Sequence, residues 1–210
     1  MAHVSPPLEA IVLAAGSGTR FGGGKLTHPW RGGALIDGAL AAALAAPVRG
    51  VTLVTGADAG VAPAARAYAE GRGEAARLRI VHCARHELGM GESLACGARS
   101  LAAGAAGVFV FLGDMPLIPA GVARSLAEKV RRGAAAAAPA HAGLRGHPVL
   151  FGAELVPALR SLSGDAGARA ILQGLGARLA IVPCDEPGVL VDVDRPDDLP
   201  AAGPGGPPER

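Results

Sequence analysis

The residues best suited to chemistry form a glycine-rich loop that follows a short apolar run near the start of the chain. Five glycines occur between Gly16 and Gly24, and glycine lets the backbone adopt positive φ so that successive N–H groups converge on an anion. Arg20 adds a planar, bidentate cation, and Lys25 adds a mobile point charge. The pattern predicts a site for a phosphate-rich ligand. The candidate residues of this strand end and loop are Leu13, Ala14, Ala15, Gly16, Ser17, Gly18, Arg20 and Lys25.

Two better-known glycine loops do not fit this stretch. A Walker A loop would need glycine where Thr19 stands and Ser or Thr where Leu26 stands. The dinucleotide fingerprint would need glycine at Phe21, and no acidic residue closes the strand predicted at 51–55, where a ribose would be held. A flexible linker is the remaining alternative, but linkers seldom follow directly on a strand.

Carboxylates follow two other apolar runs. Asp114 comes just after the strongly β-like run 108–112, and ligands of open α/β sheets bind beyond the carboxyl ends of the strands. We therefore expect Asp114 beside the glycine loop. Asp192 and Asp194 stand two residues apart, so in an extended strand they would point to the same side. The alternatives are that Asp114 caps a turn and that Asp194 caps a last helix.

Strand and helix patterns alternate along the chain, which predicts an α/β fold of right-handed βαβ units with a mostly parallel central sheet. The strands are predicted at 8–13, 51–55, 78–83, 108–112, 134–140, 178–183 and 189–193. The helices are predicted at 34–46, 61–70, 92 or 93 to about 103, 121–132, 154–162 and 166–174. Because glycines precede the third helix, Gly91 and Ser93 are candidates to receive an anion, with an ordinary N-cap as the alternative.

Composition excludes several classes of protein. The 210 residues suit one domain, expected at 1–199, with a Pro/Gly-rich tail at 200–210 that we expect to be disordered. A formal charge of +2 is too small to indicate nucleic acid or an anionic membrane as partner. The three cysteines form neither a disulfide framework nor a zinc spacing, and no signal peptide or membrane span is predicted. We expect a cytoplasmic protein.

The stretch 13–25 resembles the LAAG-x-S/G-x-R-x-G-x-x-K signature of the MobA-like nucleotidyltransferases, and it is most similar to the molybdenum cofactor cytidylyltransferase branch. One such loop would be weak support, but later stretches fit the same branch in order along nearly the whole chain. These stretches are 89–94, 112–116, 145–151, 164–169 and 192–199.

The resemblance implies a three-layer Rossmann-like nucleotidyltransferase fold and transfer of CMP from CTP to the terminal phosphate of molybdopterin or the molybdenum cofactor, releasing pyrophosphate. It implies catalytic roles for Arg20, Lys25 and Asp114, and nucleotide contacts at Gly91 and Ser93. Mg²⁺ would bind Asp114 and one aspartate of the pair at 192 and 194, because magnesium takes one or two carboxylates together with phosphate oxygens.

The resemblance also places an acceptor site in the later stretches, with Arg145, His147, Asp165 and Arg169 as its candidate residues. We expect His147 to position the acceptor or support the structure rather than act as a base, because the attacking phosphate is already ionised at pH 7. A solvated surface arginine is the alternative for Arg145. Asp165 has the alternative role of capping the helix predicted at 166–174.

Other functions stay open at this point. One is a related enzyme that uses GTP or another nucleotide on a pterin, sugar phosphate or polyol phosphate, although Ala15 gives the LAAG opening of the cytidylyl branch instead of LAGG. Another is a nucleotide- or cofactor-binding delivery protein. A molybdoenzyme or maturation factor is an expected partner. The stretch 27–30 departs from the plainer apolar run that is usual in the family.

Overall fold

The computed structural model describes residues 7–165 and 167–199. The strands are β1 (Leu8–Ala14), β2 (Pro29–Trp30), β3 (Gly33–Ala34), β4 (Val48–Thr55), β5 (Leu78–His82), β6 (Gly107–Leu112), β7 (Ala136–His141), β8 (Leu144–Arg145), β9 (Val149–Gly152) and β10 (Leu179–Pro183). The α-helices are α1 (Ile36–Ala45), α2 (Val61–Glu70), α3 (Met90–Arg99), α4 (Val122–Arg131), α5 (Val156–Arg160) and α6 (Arg169–Gly174). The residues predicted to form the tail, 200–210, lie outside the described ranges, as does the first residue of the helix predicted at 166–174.

The central sheet has the strand order β10-β7-β9-β6-β1-β4-β5. The pairs β10–β7, β6–β1, β1–β4 and β4–β5 are parallel, whereas β9 runs antiparallel to both β6 and β7. β8 pairs with the end of β7, and β2 and β3 form a separate hairpin. The predicted α/β class with a mostly parallel sheet is therefore confirmed.

Both faces of the sheet are covered by helices, which makes the fold three-layered. On β1, Ala10 and Val12 pack into a core shared with α1, α2 and α4, whereas Ile11 packs into a second core shared with α3, α5 and α6. Successive residues of a strand point to opposite faces, so a run that is apolar at every residue indicates burial on both sides. The continuous apolar run 10–14 of β1 thus explains the place of this strand inside the sheet.

Helix α3 packs unusually close to the sheet because Gly97 has no side chain. A Cβ at Gly97 would lie 2.8 Å from Val54 Cγ2 and 3.0 Å from Ile11 Cγ2. The close approach fixes the height of α3 above β1 and β4, and with it the position of the residues at the start of the helix.

The strand predicted at 189–193 is wrong. Pro187–Leu190 forms a 3₁₀ turn, and the residues that follow join no sheet. The backbone groups of this segment bond to loops: Val193 N donates to Asp114 O at 3.0 Å, and His147 N donates to Val189 O at 2.9 Å. Because these bonds replace a strand ladder, the same-side argument for the two aspartates fails.

Two predicted helix bounds also need correction. Helix α3 begins at Met90, two or three residues earlier than predicted, because Gly89 at φ 118° turns the chain into it. It ends at Arg99 rather than near residue 103. The helix predicted at 154–162 is a 3₁₀ turn, Ala153–Leu155, followed by the short α5. Within the two described ranges, no helix is long and apolar enough to cross a bilayer.

Candidate active site

A crevice opens at the topological switch point of the sheet, where successive strands are added first on one side of β1 and then on the other. β1 has β4 on one side and β6 on the other, and ligands of open α/β sheets bind at such a point, beyond the carboxyl ends of the strands. The glycine loop follows β1, and Asp114 follows β6. Gly113 N donates to Leu13 O at 2.8 Å, and a Cβ at Gly113 would lie 2.9 Å from that oxygen. The absent side chain therefore lets Asp114 lie next to the loop.

The glycine loop folds around one turn of 3₁₀ helix, Thr19–Phe21. Gly18 O accepts hydrogen bonds from Phe21 N at 3.0 Å and from Gly23 N at 3.1 Å. Gly22, Gly23 and Gly24 all have positive φ, at 94°, 92° and 61°, which side chains other than glycine rarely adopt. The glycines are thus required to return the chain to Lys25.

Lys25 lies between two carboxylates. Its Nζ is 2.7 Å from Asp114 Oδ2 and 3.3 Å from Asp194 Oδ1, and Arg20 Nη1 lies 2.7 Å from Asp194 Oδ2. The Lys25 side chain is 12% exposed, whereas that of Arg20 is 72% exposed. Solvent therefore screens the Arg20–Asp194 pair strongly and the Lys25–Asp114 pair much less.

Asp194 is held at this place by backbone contacts. The bond from Val193 N to Asp114 O joins its segment to the turn after β6, and Asp198 Oδ2 accepts from the backbone N of both Asp194 and Arg195 at 3.0 and 2.7 Å. Asp198, not Asp194, therefore caps the final 3₁₀ turn.

The two candidate aspartates of this segment differ in position. Asp192 is exposed and forms no ion pair with any residue in the described ranges. Through Lys25 the structure brings Asp194 next to Asp114, whereas the charge of Asp192, like that of Asp114, acts on His147.

A cleft of about 620 Å³ extends from the glycine loop toward the start of α3. Ser93 lines it and is buried, but Gly91 does not face it. Gly91 N donates to Gly164 O at 2.8 Å, and a Cβ at Gly91 would lie 2.7 Å from the same oxygen. The nucleotide contact at Gly91 stays a prediction, and its N–H is not free to receive an anion because it holds the 163–164 loop against the start of α3.

A second cavity of about 460 Å³ contains all four predicted acceptor residues. Its walls include the side chains of Leu94, Val110, Val149, Phe151 and Leu172, and its polar residues are Arg145, His147, Asp165 and Arg169. The two spaces adjoin, because Leu112 and Asp165 line both this cavity and the cleft. Helix α6 begins at Arg169 without a side-chain cap, so the capping alternative for Asp165 is excluded.

His147 is neutral at pH 7 in this setting. Burial lowers the pKa of its imidazole from 6.5, although a hydrogen bond with the Val110 backbone and the charge of Asp114 oppose the shift. Its Nδ1 is buried without a hydrogen-bond partner among the described residues. The arrangement agrees with a positioning role better than with a proton transfer.

Sequence reasoning missed His86 and Met90, which line the cleft, and Asp58, which lines a smaller pocket beside the glycine loop. Asp58 Oδ2 accepts from Thr27 Oγ1 at 3.3 Å, and its Oδ1 accepts from Gly60 N at 2.8 Å. A signal was present, because Asp58 stands three residues beyond β4.

The carboxylates of Asp114 and Asp194 form the donor set that could hold a divalent cation. No group of three or more His, Cys, Asp or Glu side chains suited to a metal occurs within 7–165 and 167–199. A two-carboxylate set nevertheless fits Mg²⁺, which binds nucleotide enzymes through one or two carboxylates plus substrate phosphate oxygens.

Comparison with proteins of known sequence gives relatives over part or all of the chain. The nicotine blue oxidoreductase of Paenarthrobacter nicotinovorans is 33% identical over 198 residues, covering 90% of this chain and 93% of the relative. The bifunctional protein GlmU of Pelobacter propionicus is 38% identical over 123 residues, which is 57% of this chain. That match spans only 25% of GlmU.

Solved structures with the same fold include two that are informative about nucleotide and metal. A nucleotidyl transferase from Methanothermobacter has a TM-score of 0.73 at 25% identity, with 91% of this chain and 94% of that chain covered. Rv0371c of Mycobacterium tuberculosis in complex with manganese has a TM-score of 0.70 at 25% identity, with 91% and 95% covered.

The family model for the MobA-like NTP transferase domain matches residues 10–180. This range contains the glycine loop, the turn after β6 and the cavity lined by Arg145, His147 and Arg169. The chain belongs to the MobA-like NTP transferase family.

Proposed function

We propose that this chain transfers CMP from CTP to the terminal phosphate of molybdopterin or the molybdenum cofactor, with release of pyrophosphate. One observation carries the proposal: the start of the glycine loop and Asp114, the ion-pair partner of Lys25, line a cleft that adjoins an apolar cavity with two arginines in its lining. Such an arrangement can hold a triphosphate on one side and a flat, phosphorylated acceptor on the other.

The reaction brings two anions together, so the chain must neutralise charge and align the reacting groups. Lys25, Arg20 and the loop N–H groups would bind the triphosphate, and Arg145 and Arg169 would bind the acceptor phosphate. The acceptor phosphate attacks the α-phosphorus of CTP, the bond to the β-phosphate breaks, and pyrophosphate leaves with its electron pair. No protein nucleophile or base is required, in agreement with a neutral His147.

Asp114 and Asp194 are the residues that would hold Mg²⁺, which supplies charge neutralisation at the phosphate oxygens when bound. The manganese complex of Rv0371c supports a divalent-metal site in this fold. Ala15 in the glycine loop supports the choice of CTP, because the related guanylyltransferases have glycine at this position. GTP remains the alternative nucleotide.

The relative named nicotine blue oxidoreductase favours a second candidate, an oxidoreductase whose substrate binds in the apolar cavity. The two candidates differ in their co-substrates, one a nucleoside triphosphate and the other an electron donor or acceptor. They are therefore separable in one set of assays.

The test measures pyrophosphate release by the purified protein with Mg²⁺, comparing CTP, GTP, ATP and UTP with and without the molybdenum cofactor. Release with CTP only when the acceptor is present is the expected result. A preference for GTP would overturn the choice of base and keep the chemistry. No release with any nucleotide, together with acceptor-dependent oxidation of NADH or NADPH, would replace the proposal with the oxidoreductase.

A further inference from the structure

The cleft between the glycine loop and the start of α3 is acidic. Glu87, Asp114 and Asp165 line it, and among the described residues no lysine or arginine does. Lys25 instead lines the smaller pocket beside the glycine loop, where it pairs with Asp114. Phosphate groups are therefore favoured at the glycine loop, whereas the cleft favours a part of the ligand that donates hydrogen bonds.

The packing of two loops sets the position of the Asp165 carboxylate. Gly91 N donates to Gly164 O at 2.8 Å, which holds the residue before Asp165 against the start of α3. Gly89, the residue before this helix, has φ 118°, and a Cβ there would lie 2.5 Å from Asp165 Oδ1. The carboxylate thus lies against the backbone of Gly89, where the positive end of the helix dipole stabilises its charge.

The Asp165 side chain is accessible to a ligand. It is exposed, and within 7–165 and 167–199 it forms no hydrogen bond or ion pair. Asp165 lines both the cleft and the second cavity, but Gly89, against which its Oδ1 packs, lines the cleft and not that cavity. An ionised carboxylate accepts hydrogen bonds and donates none. This end of the cleft therefore favours an N–H group over a carbonyl oxygen.

We infer that Asp165 is a specificity-determining residue for the nucleotide and accepts a hydrogen bond from an exocyclic amino group of the base. The inference rests on the proposed nucleotidyl transfer and names the class of base, one with an amino group on the edge that enters the cleft. This role differs from the acceptor contact that the resemblance implies for Asp165.

The choice between CTP and UTP depends directly on such a contact. With the triphosphate at the glycine loop, the base extends into the acidic cleft. Cytosine has an amino group where uracil, a base of nearly the same shape, has a carbonyl oxygen. The carboxylate attracts the first group and repels the second, so Asp165 favours CTP and rejects UTP.

The test measures Kd for the Mg²⁺ complexes of CTP and UTP by isothermal titration calorimetry, with the full chain and without acceptor. Leaving out the acceptor removes any contribution from the second cavity. We expect the wild type to bind CTP at least roughly tenfold more tightly than UTP, the usual effect of one hydrogen bond to a charged group. In Asp165→Asn, the amide NH₂ can donate to the uracil oxygen. The preference for CTP should therefore fall below about threefold.

Two further variants serve as controls. Asp185→Asn removes an exposed charge outside the cleft and the second cavity, and it should keep the preference of the wild type. Glu87→Gln removes a charge from the cleft itself, but no described contact fixes that side chain, so most of the preference should remain. Circular dichroism confirms that each variant is folded, and Asp165→Ser provides a second variant should Asp165→Asn unfold.

Three results would overturn the inference: equal affinities of the wild type for CTP and UTP, a preference for CTP that survives in Asp165→Asn, or a preference that is lost in Glu87→Gln instead. In each of them CTP still binds, so the proposed nucleotidyl transfer stands. Failure of the proposed function gives a different result, in which no nucleoside triphosphate binds to the wild type, and that result would overturn both.

Discussion

The Lys25 ammonium lies between the carboxylates of Asp114 and Asp194 and offsets their negative charge beside the glycine loop. Neutralising one of these two carboxylates would make the net charge at the triphosphate site more positive. Since Asp194 alone of the later aspartate pair lies within this cluster, the two positions should respond very differently to the same substitution.

We expect Asp194→Asn to lower kcat/KM for nucleotide-dependent pyrophosphate release by about 10²-fold, the usual cost of removing one group that stabilises a transition state. Asp192→Asn is the matched control and should stay within about threefold of the wild type, because Asp192 is exposed outside the cluster. Steady-state kinetics with Mg²⁺ checks both variants. Equal losses in the two variants would contradict the assignment of Asp194.

Cys96 lies on helix α3, and its reactivity tests how far the thiol is buried against the core. Burial raises the pKa of its thiol to about 11, and the neighbouring Cys83 adds to the shift. Since the thiolate is the reactive form, we expect iodoacetamide at pH 8 to alkylate Cys96 roughly two orders of magnitude more slowly than an unperturbed thiol. Peptide mass mapping over time gives the rate. Alkylation as fast as that of free cysteine would show that the thiol is not held as described.

Helix α3 is positioned by the close contact at Gly97, and this contact can be measured. Ala at residue 97 gains helix propensity of about 1 kcal/mol over Gly but places its Cβ 2.8 Å from Val54 Cγ2. Overpacking costs about 1–3 kcal/mol, so Gly97→Ala should lower the free energy of unfolding by about 1 kcal/mol. It should also raise KM, because α3 carries Ser93 of the cleft.

Gly174→Ala is the control for that change, since Gly174 ends helix α6 and a Cβ there would meet nothing within 4 Å. It should stabilise the protein by up to about 1 kcal/mol. Urea unfolding of both variants gives the two free energies. If both substitutions stabilised the protein, the sheet could shift to accommodate a Cβ at residue 97, and the contact at Gly97 would not fix the position of α3.

The fold as a whole should lose stability in mild acid through His147. Its folded pKa lies below the ordinary 6.5, so the unfolded chain takes up a proton that the folded chain resists. The free energy of unfolding should therefore fall as the pH drops below about 6.5, until the folded pKa is passed.

His147→Asn removes this titration. The variant should be less stable at pH 7, where it loses the hydrogen bond with the Val110 backbone, but its stability should vary less between pH 6.5 and 5. Urea unfolding at several pH values, with wild type and variant compared at each, isolates the contribution of His147 from those of other groups. Parallel pH profiles would contradict the burial of a neutral imidazole.

Prediction from the sequence succeeded where a pattern was local. The alternation of strands and helices, the apolar run of β6 and the link from the glycine loop to Asp114 all depend on short stretches and a general rule of α/β sheets. The position of Asp194 depends instead on the backbone bond from Val193 to Asp114, a contact between distant parts of the chain. The spacing of apolar residues cannot predict such a bond. The strand expected at 189–193 therefore led to the incorrect expectation that Asp192 and Asp194 point to the same side.

The approach of Trp30 to Tyr68 lay beyond prediction for the same reason. The two residues belong to different elements, and only the packing of α2 beside the β2–β3 hairpin brings them together. Gly91 shows a different limit, since a glycine at the start of a helix can serve either ligand binding or close packing. The sequence contains both possibilities, and the contact with Gly164 reveals the packing role. The chemical roles of the site residues stay predictions.

The ammonium between Asp114 and Asp194 has a consequence for the order in which substrates bind. A free divalent cation must compete with Lys25 for these carboxylates, whereas a triphosphate brings oxygens that can draw Lys25 away and share the cation. The protein should therefore take up the metal weakly by itself and readily as the complex with nucleotide. An ordered kinetic scheme follows, in which the nucleotide–metal complex enters first and the acceptor second.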